Sequence, residues 1–438
     1  MKNTSKENLI SKENSKFNQL VEEPNKGFRK RMILLWALIG PGVVAALADN
    51  DAGGIISYAL TGTQFGISFF IPLTFCLIII TYTVQEMSMR LGVVAQEGYT
   101  KLVRKHYGKG WMIYHIVALL IENLITLLTE FIGMSCGLVI LGLPLWVSVL
   151  ISLLLVLSIT IFAGYWAKER LSLLIGIFNI GFIVTAFITR PSFASLSSAF
   201  LNFSVPHGSN NIVFYVIALI GNAVAPWMIF YQNSAYIDKG VTSNNIRLGR
   251  YDTLIGSIFQ VFIAACIIII GACLFNKIPN LADAGPAEII KGLNSILGFT
   301  PALIFALGLF NAGLLASITV GLSSAWSVAE AFGWKKSLNN KVTEAPKFYA
   351  VYFISVILAA IGVLIPNLPL NFISIVAQIL GGILMAPILI FLAFLTSNEE
   401  VMGNYKNSLF ANIRAWITVI LLIGIGIITM VNIILGIG

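Results

Sequence analysis

Charge is scarce in this chain. Asp, Glu, Lys and Arg make up 11% of its 438 residues, where soluble domains carry about 25%. That shortage excludes a soluble globular protein. Histidine is rarer still at three residues, and His106, His115 and His207 show no ligand spacing. The four cysteines, Cys76, Cys136, Cys266 and Cys273, lie in or beside apolar stretches, with no CxxC and no Cys/His cluster. A disulfide framework and a zinc site are therefore excluded, and the thiols read as packing residues. No polar stretch is long enough for a soluble domain. The first 32 residues are polar and charged, which reads as a solvated, disordered tail and not as a signal peptide.

Hydrophobic residues are abundant at 58%, in runs of about 20 that suit transmembrane helices. The fold class is all-α integral membrane. Eleven spans are predicted, near 33–57, 65–90, 111–133, 143–163, 171–189, 212–237, 252–275, 300–327, 348–365, 371–396 and 411–435. With the N-terminus in the cytoplasm, 24 of the 27 Lys and Arg fall in cytoplasmic segments, and only Arg190, Lys277 and Lys291 lie outside. This asymmetry supports both the count and the orientation, and it puts the C-terminus outside. The longest outer connections are 190–211 and 276–299. The second holds Asp283, Glu288 and a Gly-Pro turn, and has room for a short lateral helix.

Two spans are interrupted. The first carries Asp49-Asn50-Asp51-Ala52-Gly53-Gly54 and the sixth carries Gly221-Asn222-Ala223-Val224-Ala225-Pro226. Breaks five spans apart suggest two five-helix units running in opposite senses, over 33–190 and 212–396. The segment 411–438 forms an eleventh helix outside the repeat. Paired breaks of this kind point to a transporter site near the midplane. A carboxylate inside a membrane is a functional-site hypothesis in its own right. On a continuous helix Asp49 and Asp51 sit about 200° apart, so only an unwound segment turns one of them inward. Gly53 and Gly54 would supply a permissive backbone for that. Pro226 would displace the carbonyl four residues back, that of Asn222. The available ligands are all oxygen: the Asp51 carboxylate, Asp49, backbone carbonyls, the Asn222 amide, Gln378 and water. Such sets suit Mg²⁺, Ca²⁺ and Mn²⁺. The small residues Ala52, Gly54, Ala223 and Ala225 leave room for an ion that keeps its waters.

These residues resemble the Nramp family of divalent-metal transporters, and more closely its magnesium-transporting branch. GPGVVAALADNDAGGIISYALTGTQFG at 40–66 is similar in spacing to the family's first helix, and GNAVAPWMIFYQNSA at 221–235 to its sixth. RLGVVAQEG at 90–98, TEFIG at 129–133 and VAQILGG at 376–382 extend the likeness. The resemblance puts Asp51 on the family's metal-binding Asp. Ala52 and Gly54 replace the Pro and Asn of its Asp-Pro-Gly-Asn motif. Ala225 replaces a Met, Pro226 is kept, and Trp227 replaces a His. The implied fold is the LeuT-type inverted repeat of five plus five helices. The implied function is a Mg²⁺ importer, with Mn²⁺ also carried, working by alternating access in the plasma membrane of a prokaryote. No cofactor is implied, since the metal is cargo. The expected partners are divalent ions and the lipid bilayer. No nucleic acid is expected, and the oligomeric state stays open, a monomer included.

Further acids lie in or at the ends of the spans. Glu122 and Glu130, about 80° apart on the third span, line a water path or are neutral and hydrogen-bonded to a neighbouring helix. Glu130 falls on an acidic family position, and Leu127 stands where a second acid tied to proton movement is found. Glu86 is assigned to an aqueous vestibule and Asp252 to a cap at the start of span seven. Nothing in the sequence sets Glu122 or Glu130 beside Asp51, so uptake without obligatory proton symport is expected. The competing readings are a proton-coupled Mn²⁺/Fe²⁺ transporter, a Na⁺-coupled amino-acid transporter and a passive channel. An intramembrane aspartyl protease needs two acids from different helices, and these are two residues apart.

Overall fold

The computed structural model describes residues 40–162, 165–201, 212–277, 285–366 and 370–435. The expected N-terminal tail, Asp283 and His207 lie outside them. The chain runs α1 Pro41–Asp49, α2 Ala52–Phe65, α3 Phe70–Ala95, α4 Tyr99–Tyr107, α5 Lys109–Val139, α6 Leu145–Phe162, α7 Tyr165–Ile177, α8 Ile180–Ile188 and α9 Phe193–Leu201. It continues through α10 Ile212–Ala223, α11 Pro226–Lys239, α12 Ile246–Ala272, α13 Pro286–Leu297, α14 Phe299–Phe332, α15 Pro346–Val363, α16 Leu370–Ser397, α17 Glu399–Met402 and α18 Leu409–Leu435.

Among the described residues nine helical stretches are long and apolar enough to cross a membrane, and Leu145–Ile161 is a shorter apolar helix. The first expected span is present as α1 and α2, each too short to cross alone. Two differences from the sequence reading have a plain cause. Helix α12 begins at Ile246, ahead of the expected 252, because its first turns carry Arg247 and Arg250 and hydropathy does not register them. The charged connection near 90–109 contains α4, an amphipathic helix that buries Tyr99, Leu102 and Val103 and turns Lys101 outward. The lateral helix expected between 276 and 299 is α13, whose Glu288 accepts the Gly285 N–H.

Small residues let the central helices approach closely, as is common in membrane interiors. A Cβ on Gly137 of α5 would lie 2.7 Å from the Ala306 carbonyl of α14, and one on Gly313 of α14 would lie 2.7 Å from the Glu130 carbonyl of α5. On α12, Gly271 abuts the Ala59 carbonyl of α2, while Gly62 of α2 abuts the Ile268 carbonyl of α12. Helix α5 is thus packed closely on α14, and α1 and α2 closely on α12, where a Cβ on Gly256 would lie 2.9 Å from the Gly42 carbonyl. At the periphery, α18 leaves Ile413, Ile417, Ile420 and Ile427 exposed, an apolar face suited to lipid. All four cysteines are free thiols.

Candidate metal site

Between α1 and α2 the chain leaves the helix at Asn50 and Asp51. Asp51 is extended and forms the N-cap of α2, its Oδ1 accepting the Gly54 N–H. Gln378 of α16 reaches the same oxygen at 3.4 Å. In the second break, α10 ends at Ala223 and Ala225 is the extended N-cap of α11. Pro226 opens α11, where a missing N–H costs nothing because the first helical donors are unpaired anyway. The broken carbonyl that finds partners is therefore that of Ala223, one residue beyond the expected Asn222. It accepts the Thr81 hydroxyl at 3.1 Å and the Gln260 carboxamide at 3.2 Å.

Asp51, Asp49, Asn222, Ala225 and Gln378 are each no more than 6% exposed. Asp49 ends α1 and accepts from the Gln260 carboxamide of α12. It is tied to α12, while Asp51 faces Gln378 of α16. The Asn222 side chain lies directly over Gly54, where a Cβ would sit 2.6 Å from its Cγ and overlap both amide atoms. The amide adjoins the Tyr58 hydroxyl, yet neither its oxygen nor its nitrogen has a well-formed hydrogen bond. A buried polar group left this way costs about 1–3 kcal/mol, which an ion coordinated by the amide oxygen would relieve.

The glycines act differently from the sequence reading. Neither Gly53 nor Gly54 has a positive φ, and both lie in the first turn of α2. What they supply is space. A Cβ on Gly53 would come within 2.8 Å of the Thr129 hydroxyl and 2.9 Å of the Gln378 amide.

The expectation that nothing sets the third-span acids beside Asp51 is corrected. Glu130 accepts the Ala52 N–H at 2.9 Å and so holds the free N-terminus of α2, next to Asp51 in the chain. Its other oxygen accepts the Thr129 hydroxyl at 3.3 Å. Glu122 and Glu130 both lie within electrostatic reach of Asp51, and Glu122 also of Asp49. The centre is therefore acidic and walled by apolar helices, a setting that favours a cation. Glu86 is buried in ion pairs with Arg90 at 2.9 Å and Arg250 at 3.0 Å. Trp227 is fully buried, and its indole N–H has no hydrogen-bond partner. Among the described residues no three His, Cys, Asp or Glu side chains converge.

Asp252 is a cap, but not of its own helix. Its carboxylate accepts the Gly40, Gly42 and Val43 N–H groups at 2.9, 2.8 and 3.2 Å. It thus closes the N-terminus of α1 from six residues inside α12. Tyr236 of α11 donates to it at 2.6 Å, and Lys239 of α11 pairs with Glu169 of α7 at 3.0 Å beside it. These groups fasten the N-terminal end of α1 to α7, α11 and α12.

Sequence reasoning missed Gln260. Its carboxamide donates to Asp49 and to the Ala223 carbonyl and accepts from Gln85 at 3.2 Å, and its backbone carbonyl accepts the Asn50 amide at 3.1 Å. One side chain joins both breaks. The available signal was a lone carboxamide in an apolar run, which in a membrane needs a partner.

A sequence profile of the family described as natural resistance-associated macrophage protein-like, Nramp, matches residues 42–432. The chain is 26% identical over 449 aligned positions to a natural resistance-associated macrophage protein 2 homolog of Dictyostelium discoideum, covering 97% of this chain and 69% of that protein. It is 25% identical to the divalent metal cation transporter MntH of Levilactobacillus brevis, covering 95% and 93%. Among solved structures, a manganese transporter of Eremococcus coleocola shares the fold with a TM-score of 0.74 at 19% identity, over 93% of this chain and 88% of that one. The structure of MhsT in complex with L-phenylalanine gives a TM-score of 0.61 at 14% identity, over 90% of this chain and 98% of that one.

Proposed function

The chain belongs to the Nramp family, and from that premise we propose that it is an importer of divalent cations, Mg²⁺ first and Mn²⁺ also. The observation that carries the proposal is the pairing of the Asp51 carboxylate with the unpartnered Asn222 amide at two facing helix breaks. An acid plus neutral oxygens matches hard cations. Ala225 provides no thioether at the N-cap of α11, so soft metals gain nothing there. Ala52, Gly54, Ala225 and Trp227 at these positions support a place in the magnesium-transporting branch. Relatives named as divalent metal cation transporters support the substrate class.

The same reading comprises eleven crossings, the inverted repeat of 33–190 and 212–396, a cytoplasmic N-terminus, an outer C-terminus and the plasma membrane of a prokaryote. Alternating access would expose the site to each side in turn. Metal influx would follow its gradient and the negative-inside potential, which contributes about 2.3 kcal/mol per charge per 100 mV, without a required proton. Trp227 does not titrate near neutrality, which supports that mechanism. A second reading, proton-coupled Mn²⁺ import, is favoured by one observation, the contact of Glu130 with the first residue of α2.

The test is influx into liposomes bearing the purified chain, with Mg²⁺, Mn²⁺ and Ca²⁺ offered separately and a pH dye sealed inside under a clamped potential. Mg²⁺ and Mn²⁺ influx without acidification is expected. Acidification that tracks the metal and is lost in Glu130→Gln supports the second reading. No influx of any of the three contradicts both.

A further inference from the structure

We infer that Glu122 is a second carboxylate on the cation's route, receiving the ion after Asp51 on its way towards the side where α1 begins. This rests on the transport reading above and extends it to a step within the cycle.

Glu122 is 2% exposed. Its Oε1 accepts the Thr126 hydroxyl at 2.9 Å, one turn along its own helix. Its Oε2 is buried with no hydrogen-bond partner. Gly381 of α16 faces it. A Cβ there would lie 3.8 Å from Glu122 Oε1, 3.9 Å from Pro226 Cδ and 4.0 Å from the Gly221 carbonyl oxygen. The carboxylate therefore stands beside the second break, at the start of α11.

Its place relative to Asp51 follows from the helices. Gln378, which meets Asp51, and Gly381, which faces Glu122, are three residues apart on α16, a rise of about 4.5 Å on the same side of the helix. On α5, Glu130 touches Ala52, and Glu122 lies eight residues before it, about 12 Å along the axis. Both helices place Glu122 displaced from Asp51 in one direction, that in which α11 runs.

A cation leaving Asp51 in that direction passes the N-terminus of α11. Unpaired N–H groups there carry roughly half a positive charge, which opposes the passage. A carboxylate beside that terminus offsets it. Gly381 puts no side chain between α16 and the Glu122 carboxylate, and the free Oε2 can accept the ion or one of its waters. A carboxylate that only packed against Thr126 would not need to leave a buried oxygen without a partner.

The experiment compares wild type, Glu122→Gln, Glu122→Asp and Asp51→Asn as full chains. Mg²⁺ binding is measured on the purified protein, and Mg²⁺ influx in liposomes. Gln accepts the same Thr126 hydroxyl, so a merely structural Glu122 tolerates it. The expected result for Glu122→Gln is a fall in maximal influx of about ten-fold or more with a rise in the Mg²⁺ dissociation constant far smaller than in Asp51→Asn, since Glu122 acts on loading only at a distance and meets the ion after it. Glu122→Asp, which keeps the charge, should recover part of the rate. Wild-type influx in Glu122→Gln overturns the inference. So does a loss of binding as large as in Asp51→Asn, because Glu122 would then belong to the loading site. If wild type itself moves no divalent ion, the transport reading fails as well, and the wild-type arm shows it.

Discussion

Gly54→Ala is a small change that should have a large effect. The added Cβ would sit 2.6 Å from Asn222 Cγ and closer still to both amide atoms, where non-bonded carbons prefer about 3.5–4.0 Å. The two helices must part or the amide must swing away by about 1 Å. Overpacking of this kind costs about 1–3 kcal/mol. Displacement by about 1 Å also removes the amide oxygen from a shell in which Mg²⁺ demands near-ideal geometry at about 2.0–2.1 Å. A weakening of about 1.4 kcal/mol is ten-fold in the dissociation constant. The Mg²⁺ dissociation constant should therefore rise about ten-fold or more, and the half-saturation of influx with it. Asn222→Gly removes the obstacle, so Gly54→Asn combined with Asn222→Gly should return an amide to the same space from the other helix. That double variant should bind Mg²⁺ better than either single one. Wild-type binding by Gly54→Ala would refute the reasoning. Strictly additive losses in the double variant would refute it equally, because residues that share one space must couple.

Three further outcomes follow from the geometry. Asp252→Asn removes the charge that caps α1; at up to about 2 kcal/mol, amide exchange across 41–49 should speed up by about 10–30-fold, and unchanged protection there would show that the cap does not hold α1. Gln260→Leu leaves Asp49 without its donor and the Ala223 carbonyl with Thr81 alone; at about 1–3 kcal/mol for the orphaned carboxylate, melting in detergent should fall clearly, and by less when Asp49→Asn is already present. Equal falls in both backgrounds would mean that Gln260 does not act through Asp49. Ala225→Met places a thioether at the N-cap of α11 and should raise Cd²⁺ influx relative to Mg²⁺, and an unchanged ratio would show that this position does not face the ion.

Both interruptions were legible in the sequence because Asp, Gly and Pro are conspicuous in an apolar run, and Asp51 and Gln378 do meet across 327 residues of chain. The cause of the glycines was not legible. Gly53 and Gly54 look like backbone hinges until the structure shows Thr129, Gln378 and Asn222 packed against them. Asp252 reads as a cap at the apparent start of its span, and only the folded chain shows that the helix it closes lies 210 residues earlier. Glu130 differs from the other acids in the same way, since its partner is an N–H exposed by a break in a different helix. Local pattern marks where a helix fails, whereas tertiary packing decides which group satisfies the loose end.

The most direct measurement of the central claim is paired influx of Mg²⁺ and Cd²⁺ into liposomes carrying wild type or Asp51→Asn, at equal reconstitution and clamped potential. A hard oxygen site centred on Asp51 requires that wild type carries Mg²⁺, that it carries Cd²⁺ poorly, and that Asp51→Asn carries neither. Robust Cd²⁺ influx with Mg²⁺ ignored at millimolar concentration, or Mg²⁺ influx that survives Asp51→Asn, would contradict it.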